Sequence, residues 1–208
     1  MKRLVFATGN QGKMREIREI LGNDIPEILS MKEAGINVEI VEDGKSFEEN
    51  ALIKARTVSR AAGIMAMADD SGLVVDCMDG APGIYSARFM GEDTSYDIKN
   101  RYIIEQAMAV PFEKRTARFV CAIAVVMPDG REWVVRGTVE GVIHDRQAGE
   151  NGFGYDPIFL LPERGVTTAQ LPPEEKNAIS HRGRALRAMR ELLIREGVLE
   201  SPEEQTYR

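Results

Sequence analysis

The sequence predicts an α/β fold built on a long, twisted mixed β-sheet flanked by helices. Three observations point there. Apolar, strand-like runs alternate with amphipathic helix patterns over the first half of the chain. Two longer strand-like runs then flank Pro128-Asp129-Gly130, which is hairpin chemistry. The 208 residues, 43% hydrophobic and 29% charged, suit one large domain or two small lobes sharing a core.

Leu4 to Ala7 is short and apolar and reads as a buried strand. Thr8 to Gly12 follows as a turn-rich loop, and a helix is expected from Lys13, with Met14, Ile17, Ile20 and Leu21 on one face and Gly22 as its stop. Val38 to Val41 reads as another short strand, broken by Glu42-Asp43-Gly44. Ser46 and Glu49 have capping-box spacing at the start of a helix that Gly63 ends. Its stripe is Phe47, Ala51, Ala55 and Val58, with Asn50 and Lys54 on a polar face. Ile64 to Ala68 is the next strand, Asp69 to Gly72 a turn at its end, and Leu73 to Cys77 a strand again. Residues 79–89 read as a Gly/Pro-rich loop, and Thr94 as the cap of a helix reaching about Ala109. Ala117–Met127 and Glu132–Val139 form the hairpin, and a helix from about Arg184 to Glu196 precedes Gly197. Residues 1–200 are expected to be a single domain, and 201–208 a polar tail.

The net charge of −6 argues against a partner made of nucleic-acid polymer, while leaving room for a local cationic pocket that takes a small phosphorylated ligand. No apolar run approaches membrane-spanning length, and the chain enters its first strand directly, so a cytoplasmic protein is expected. Cys77 and Cys121 lie in or beside apolar runs and read as buried free thiols.

Five stretches carry residue types suited to chemistry, each with a plainer alternative. Thr8-Gly9-Asn10-Gln11-Gly12-Lys13 joins a glycine-rich turn to a helix start and a lysine, an arrangement that suits phosphate. It also fits an ordinary turn with a solvated lysine. Asp69-Asp70-Ser71-Gly72 offers a carboxylate for magnesium or for proton abstraction, or simply a capped turn. Adjacent residues on a strand face opposite ways, so only one of the two aspartates should reach a given site. Glu42, Glu48, Glu49 and Asn50 could supply further oxygen ligands, although Glu49 also fits the capping box and Glu48 the helix dipole.

Gly152-Phe153-Gly154-Tyr155-Asp156-Pro157 permits close backbone approach beside a ring that could stack on a flat base, with Asp156 as an acceptor, or it is a turn with Phe153 in the core. Lys176 and Ser180-His181-Arg182 put three potential cations within seven residues, either for phosphate or a purine carbonyl or as a solvated helix start. His144 has no such company, and no His/Cys spacing supports zinc.

The order and wording of these stretches are more specific than any one of them. ATGNQGK (7–13), FEENALIKAR (47–56), ADDSGL (68–73), GAPGIYSARF (80–89), FGYDPIF (153–159) and EEKNAISHRGRAL (174–186) span nearly the whole chain. Together they resemble the inosine triphosphate pyrophosphatase family, also called the Ham1 family. The resemblance implies two lobes with an active-site cleft between them, a homodimer, a Mg²⁺ cofactor, and hydrolysis of ITP, dITP and XTP to the nucleoside monophosphate and pyrophosphate. It implies that Thr8, Gly9, Asn10, Gln11, Gly12 and Lys13 hold phosphates. Asp70 would be general base and metal ligand, Glu42 a second ligand, and Ser71 a substrate contact. Phe153, Gly154, Tyr155, Asp156, Lys176, His181 and Arg182 would hold the base and its surroundings. One departure is visible: many members carry two glycines before FGYDP, whereas Asn151 precedes Gly152 here, and Asn tolerates left-handed backbone.

Selectivity for damaged purines would follow from the 6-position, a carbonyl in hypoxanthine and xanthine and an amino donor in adenine. Guanine shares the carbonyl, so its exclusion has to act at its 2-amino group. Two other readings fit the same residues. One is a pyrophosphatase for modified pyrimidine nucleotides. The other is a nucleotide sensor without catalysis, whose mark would be loss of the aspartate at 70 or the lysine at 13, and both are present.

Overall fold

The computed structural model describes residues 3–200; the expected polar tail, 201–208, lies outside them. Seven strands are β1 (Arg3–Phe6), β2 (Glu27–Ser30), β3 (Met65–Val75), β4 (Thr116–Val126), β5 (Glu132–Ile143), β6 (Phe159–Leu161) and β7 (Val166–Thr167). Five α-helices are α1 (Gln11–Leu21), α2 (Phe47–Ala62), α3 (Tyr96–Met108), α4 (Pro173–Ile179) and α5 (His181–Arg195). The strands form one sheet in the order β2-β1-β3-β4-β5-β6-β7. It is mixed: β1 runs parallel to both β2 and β3, whereas β6 is antiparallel to β5 and to β7. The α/β class expected from the alternation is the one found.

The chain divides into two compact units. The first takes the described residues up to Asp70, Cys121–Gly137, and the chain from Arg182. Its core joins Leu4 and Phe6 of β1 with Met14, Ile17 and Leu21 of α1, Met67 of β3, Ile123 of β4, and Leu186, Met189 and Leu193 of α5. These are the helix faces that the 3.6-residue period picked out. The second unit takes Ser71–Val120 and Thr138–His181. Its core joins Leu73 and Val75 with Ile103 and Ala107 of α3, Phe119, Tyr155, Ile158 and Phe159.

Several expectations change. The helix expected from Lys13 begins at Gln11, because Asn10 caps it: its Oδ1 accepts from the N–H groups of Gly12 (2.8 Å) and Lys13 (3.2 Å). Val38–Val41 is not a strand; Val41 is 62% exposed, and the sheet edge is taken by β2, whose four residues were too short to stand out. Asp69 to Gly72 is not a turn. β3 runs unbroken through it, since both aspartates have cationic partners that offset their burial. Ser95 rather than Thr94 caps α3, and Thr94 instead donates to the Met90 carbonyl (2.7 Å). The last helix starts three residues early, at His181, behind the unexpected short helix α4, which opens on Pro173. Both cysteines are free thiols; Cys121 is buried, but Cys77 is only half-buried. Among the described residues, no helix is long and apolar enough to cross a membrane.

Candidate active site

In the first unit, the parallel register brings the chemistry together. Phe6 pairs with Met67, so the segment after β1 leaves the sheet beside Asp69 and Asp70 of β3. The two carboxylates have separate partners, as the alternation of a strand requires. Asp69 is almost wholly buried and accepts from Lys13 Nζ at 2.9 and 2.8 Å, one contact to each oxygen, and from Arg182 Nε at 3.3 Å. Arg182, also buried, reaches Glu16 at 2.8 Å through Nη1. Burial works against the charge on Asp69, but Lys13, Arg182 and Lys54 outweigh it and hold its carboxyl far below the usual range. Lys13 is therefore not a solvated lysine. Arg182, expected near the base, is held in place by two buried carboxylates.

Asp70 is held from α2. Asn50 Nδ2 donates to one of its oxygens at 3.1 Å, and Lys54 Nζ lies 3.4 Å from the other. Lys54 Nζ also donates to Glu42 at 3.0 Å, while the Gly44 N–H donates to Asn50 Oδ1 at 2.9 Å. Asn50 and Lys54, four residues apart on one helix face, thus tie the irregular segment carrying Glu42 to Asp70. The other acidic candidates look elsewhere. Glu48 pairs with Arg136 at 3.2 Å, and Glu49 accepts from the Lys45 N–H at 2.6 Å, one residue short of a reciprocal capping box. The desolvated position of Asp70 pushes its carboxyl above the ordinary value; Lys54 and Asn50 pull it down, and Glu42 and Asp69 push with burial. A carboxyl raised by its surroundings is a better proton acceptor when ionised.

The loop at Thr8–Gly12 is partly self-satisfied. Thr8 Oγ1 accepts from the Asn10 N–H (3.1 Å), and Asn10 occupies the N–H groups of Gly12 and Lys13. Ser71 follows Asp70 on β3 and is half-buried.

In the second unit, Asp156, Lys176 and His181 line one small cavity with Phe119, Val139 and Thr168. Asp156 is buried, and its oxygens are engaged: they accept from Lys176 Nζ (2.5 Å), the Phe153 N–H (2.8 Å) and Thr168 Oγ1 (2.9 Å). It organises the turn and aims Lys176. Lys176 Nζ also sits 5.1 Å from the ring centroid of Phe153, which is half-exposed and so outside the core. Gly152 has φ +76°, and a Cβ there would lie 2.2 Å from Asp156 Oδ2, so only glycine allows this pair to close. His181 stacks on Phe119 at 4.9 Å and 15°. Tyr155 is a core residue whose hydroxyl donates to the Ser86 carbonyl at 2.7 Å.

The residues that sequence reasoning undervalued are Lys54, Asn50, Glu16 and Thr168. The i, i+4 pairing of Asn50 with Lys54 was visible, but a polar helix face ordinarily points to water.

A family model described as Ham1 family matches residues 4–192. The chain belongs to the Ham1 family. Among its relatives, the dITP/XTP pyrophosphatase of Geobacter sulfurreducens is 48% identical over 198 residues, covering 95% of this chain and all of that one. The protein of the same name from Bacillus cereus is 47% identical over 193 residues, covering 92% and 94%. Two solved Ham1 proteins share the fold. The one from Coxiella burnetii has a TM-score of 0.86 at 37% identity, covering 94% of this chain and 100% of that one. The one from Staphylococcus aureus has a TM-score of 0.84 at 39% identity with the same coverage.

Proposed function

We propose that this member of the Ham1 family hydrolyses non-canonical purine nucleoside triphosphates (dITP, XTP and ITP) to the monophosphate and pyrophosphate, in the cytoplasm and as a homodimer. The observation that carries the reading is the buried carboxylate of Asp70, raised in basicity and sharing the Lys54 ammonium with Glu42.

Asp70 accepts the proton of a water that forms a bond to the α-phosphorus. The α–β bridging bond breaks, and the pyrophosphate leaves with its electron pair. Each Asp70 oxygen has one donor in place, so acceptor capacity remains for that water. Lys54 and Lys13 lie beside the carboxylates and supply positive charge for the triphosphate, together with the N-terminal end of α1.

Among the described residues, no three His, Cys, Asp or Glu side chains form a cluster that could hold a metal ion. Asp70 and Glu42 nevertheless suit magnesium, which is commonly held by one or two carboxylates with phosphates and water completing its shell. When bound, that ion would neutralise charge on the leaving pyrophosphate.

Phe153 supplies the face for a purine. Lys176, which can only donate, favours a 6-carbonyl over a 6-amino group, since a donor facing a donor costs about 1–3 kcal/mol. GTP needs a further contact at its 2-position to be refused.

The test is pyrophosphate release across dITP, XTP, ITP, dATP, GTP and a modified dUTP, with and without Mg²⁺. Fast turnover of the first three in the presence of Mg²⁺ is expected. Equal turnover of dATP and dITP would overturn the purine reading, and preference for the modified dUTP would favour the pyrimidine one. Light scattering on the same sample tests the dimer; apolar side chains exposed on the second unit, such as Met90 and Ile98, are available to a partner copy.

A further inference from the structure

Asn100 of α3 is 1% exposed and takes no part in the reaction described above. Its Nδ2 donates to the Gly154 carbonyl at 3.1 Å and to Gln147 Oε1 at 3.2 Å. Gln147 Nε2 in turn donates to Asp97 Oδ1 at 2.8 Å, and the other Asp97 oxygen receives Arg101 at 2.8 Å. The direction of this chain is dictated from one end. A carboxylate only accepts, so Gln147 must turn its amide nitrogen towards Asp97 and its oxygen towards Asn100. Asn100 must then present its own nitrogen, which is the group a carbonyl needs.

Gly154 is the residue behind Phe153. Its φ is +68°, and the ring of Tyr96 lies 3.4 Å from where a Cβ would stand. The turn is therefore pressed against α3 by a ring and tied there by one hydrogen bond, while Phe153 stays half-exposed on its outer side. Asn100 Oδ1 is buried with no hydrogen-bond partner. An unsatisfied buried acceptor is costly, and an apolar residue would spare that cost if filling space were the only need.

We propose that Asn100 is a positioning residue for base selection: oriented by Gln147 and Asp97, it holds the Gly154 carbonyl and so sets the angle at which Phe153 meets the purine. The inference rests on the reading of Phe153 as the purine platform. Its test uses Asn100→Ala, Gln147→Ala and Phe153→Ala. Each is assayed for KM and kcat with dITP, and for inhibition by inorganic tripolyphosphate, which carries the phosphates but no base.

For Asn100→Ala we expect KM to rise about five- to tenfold, the worth of one lost hydrogen bond. Its kcat should stay within about twofold and the tripolyphosphate Ki should not move. Gln147 is exposed, so Gln147→Ala folds even if Asn100→Ala does not, and it should shift KM the same way by less. An unchanged KM in both variants, or a loss of tripolyphosphate inhibition equal to the rise in KM, overturns the proposal. An unchanged KM in Phe153→Ala removes the platform reading itself, and the role of Asn100 with it. A response to Phe153→Ala but not to the other two removes only the role of Asn100.

Discussion

Asp70→Asn should lower kcat for dITP by about 10²–10⁴-fold, the usual worth of a general base, while the fold survives. The sign of its pKa shift argues for survival. Burial is the largest influence on Asp70 and disfavours its charged form, so a neutral residue of the same shape relieves that cost, while Lys54 loses one counter-charge but keeps Glu42 at 3.0 Å. Steady-state pyrophosphate release and thermal unfolding in one buffer check both halves. A variant that turns over dITP at the wild-type rate would remove Asp70 from the mechanism, and one that fails to fold would show that its charge is structural.

Arg182→Met should act the other way, on stability first. Arg182 neutralises Asp69 and Glu16, all three largely buried, and removing one partner of such a group leaves uncompensated charge costing about 3–5 kcal/mol. Urea unfolding of the metal-free protein measures it; a loss below about 1 kcal/mol would mean that the stranded carboxylates find water. Acid adds a second readout. The folded-state pKa of Asp69 lies below its unfolded value, so its contribution to stability is present above the ordinary carboxylate range and is lost as pH falls through and below it. With Arg182 gone one of the counter-charges that oppose burial is lost, and that acid limb should be shallower than in the wild type.

These residues show what a linear reading can and cannot recover. The stripe of α1, the hairpin of β4 and β5 and the cap at Ser46 depend on neighbours within a few positions, and local pattern exposes them. The merging of two short apolar runs into β3 was hidden, because Asp-Asp-Ser-Gly has the composition of a turn and its neutralising partners lie far along the chain. Arg182 is 113 positions from Asp69, and Lys54 is 16 from Asp70. For the same reason the pairing of Arg182 with Asp69 and Glu16 is invisible from its own basic cluster. Asp156 and Tyr155 fall in a segment legible as functional, but their partners Thr168, Lys176 and Ser86 lie too far along the chain to be read from it. Glu42 was the reverse case: nothing local anchors it, and only its shared ammonium sets it apart from Glu48 and Glu49.

That ammonium has a consequence for how the protein waits between turnovers. Two carboxylates near each other ordinarily repel until a divalent ion arrives, and proteins built that way soften when the ion is stripped. Here Lys54 is a counter-ion fastened to the chain, in hydrogen-bond contact with Glu42 and 3.4 Å from Asp70. The resting molecule carries its own neutraliser and can keep its acidic pair assembled in a chelating buffer.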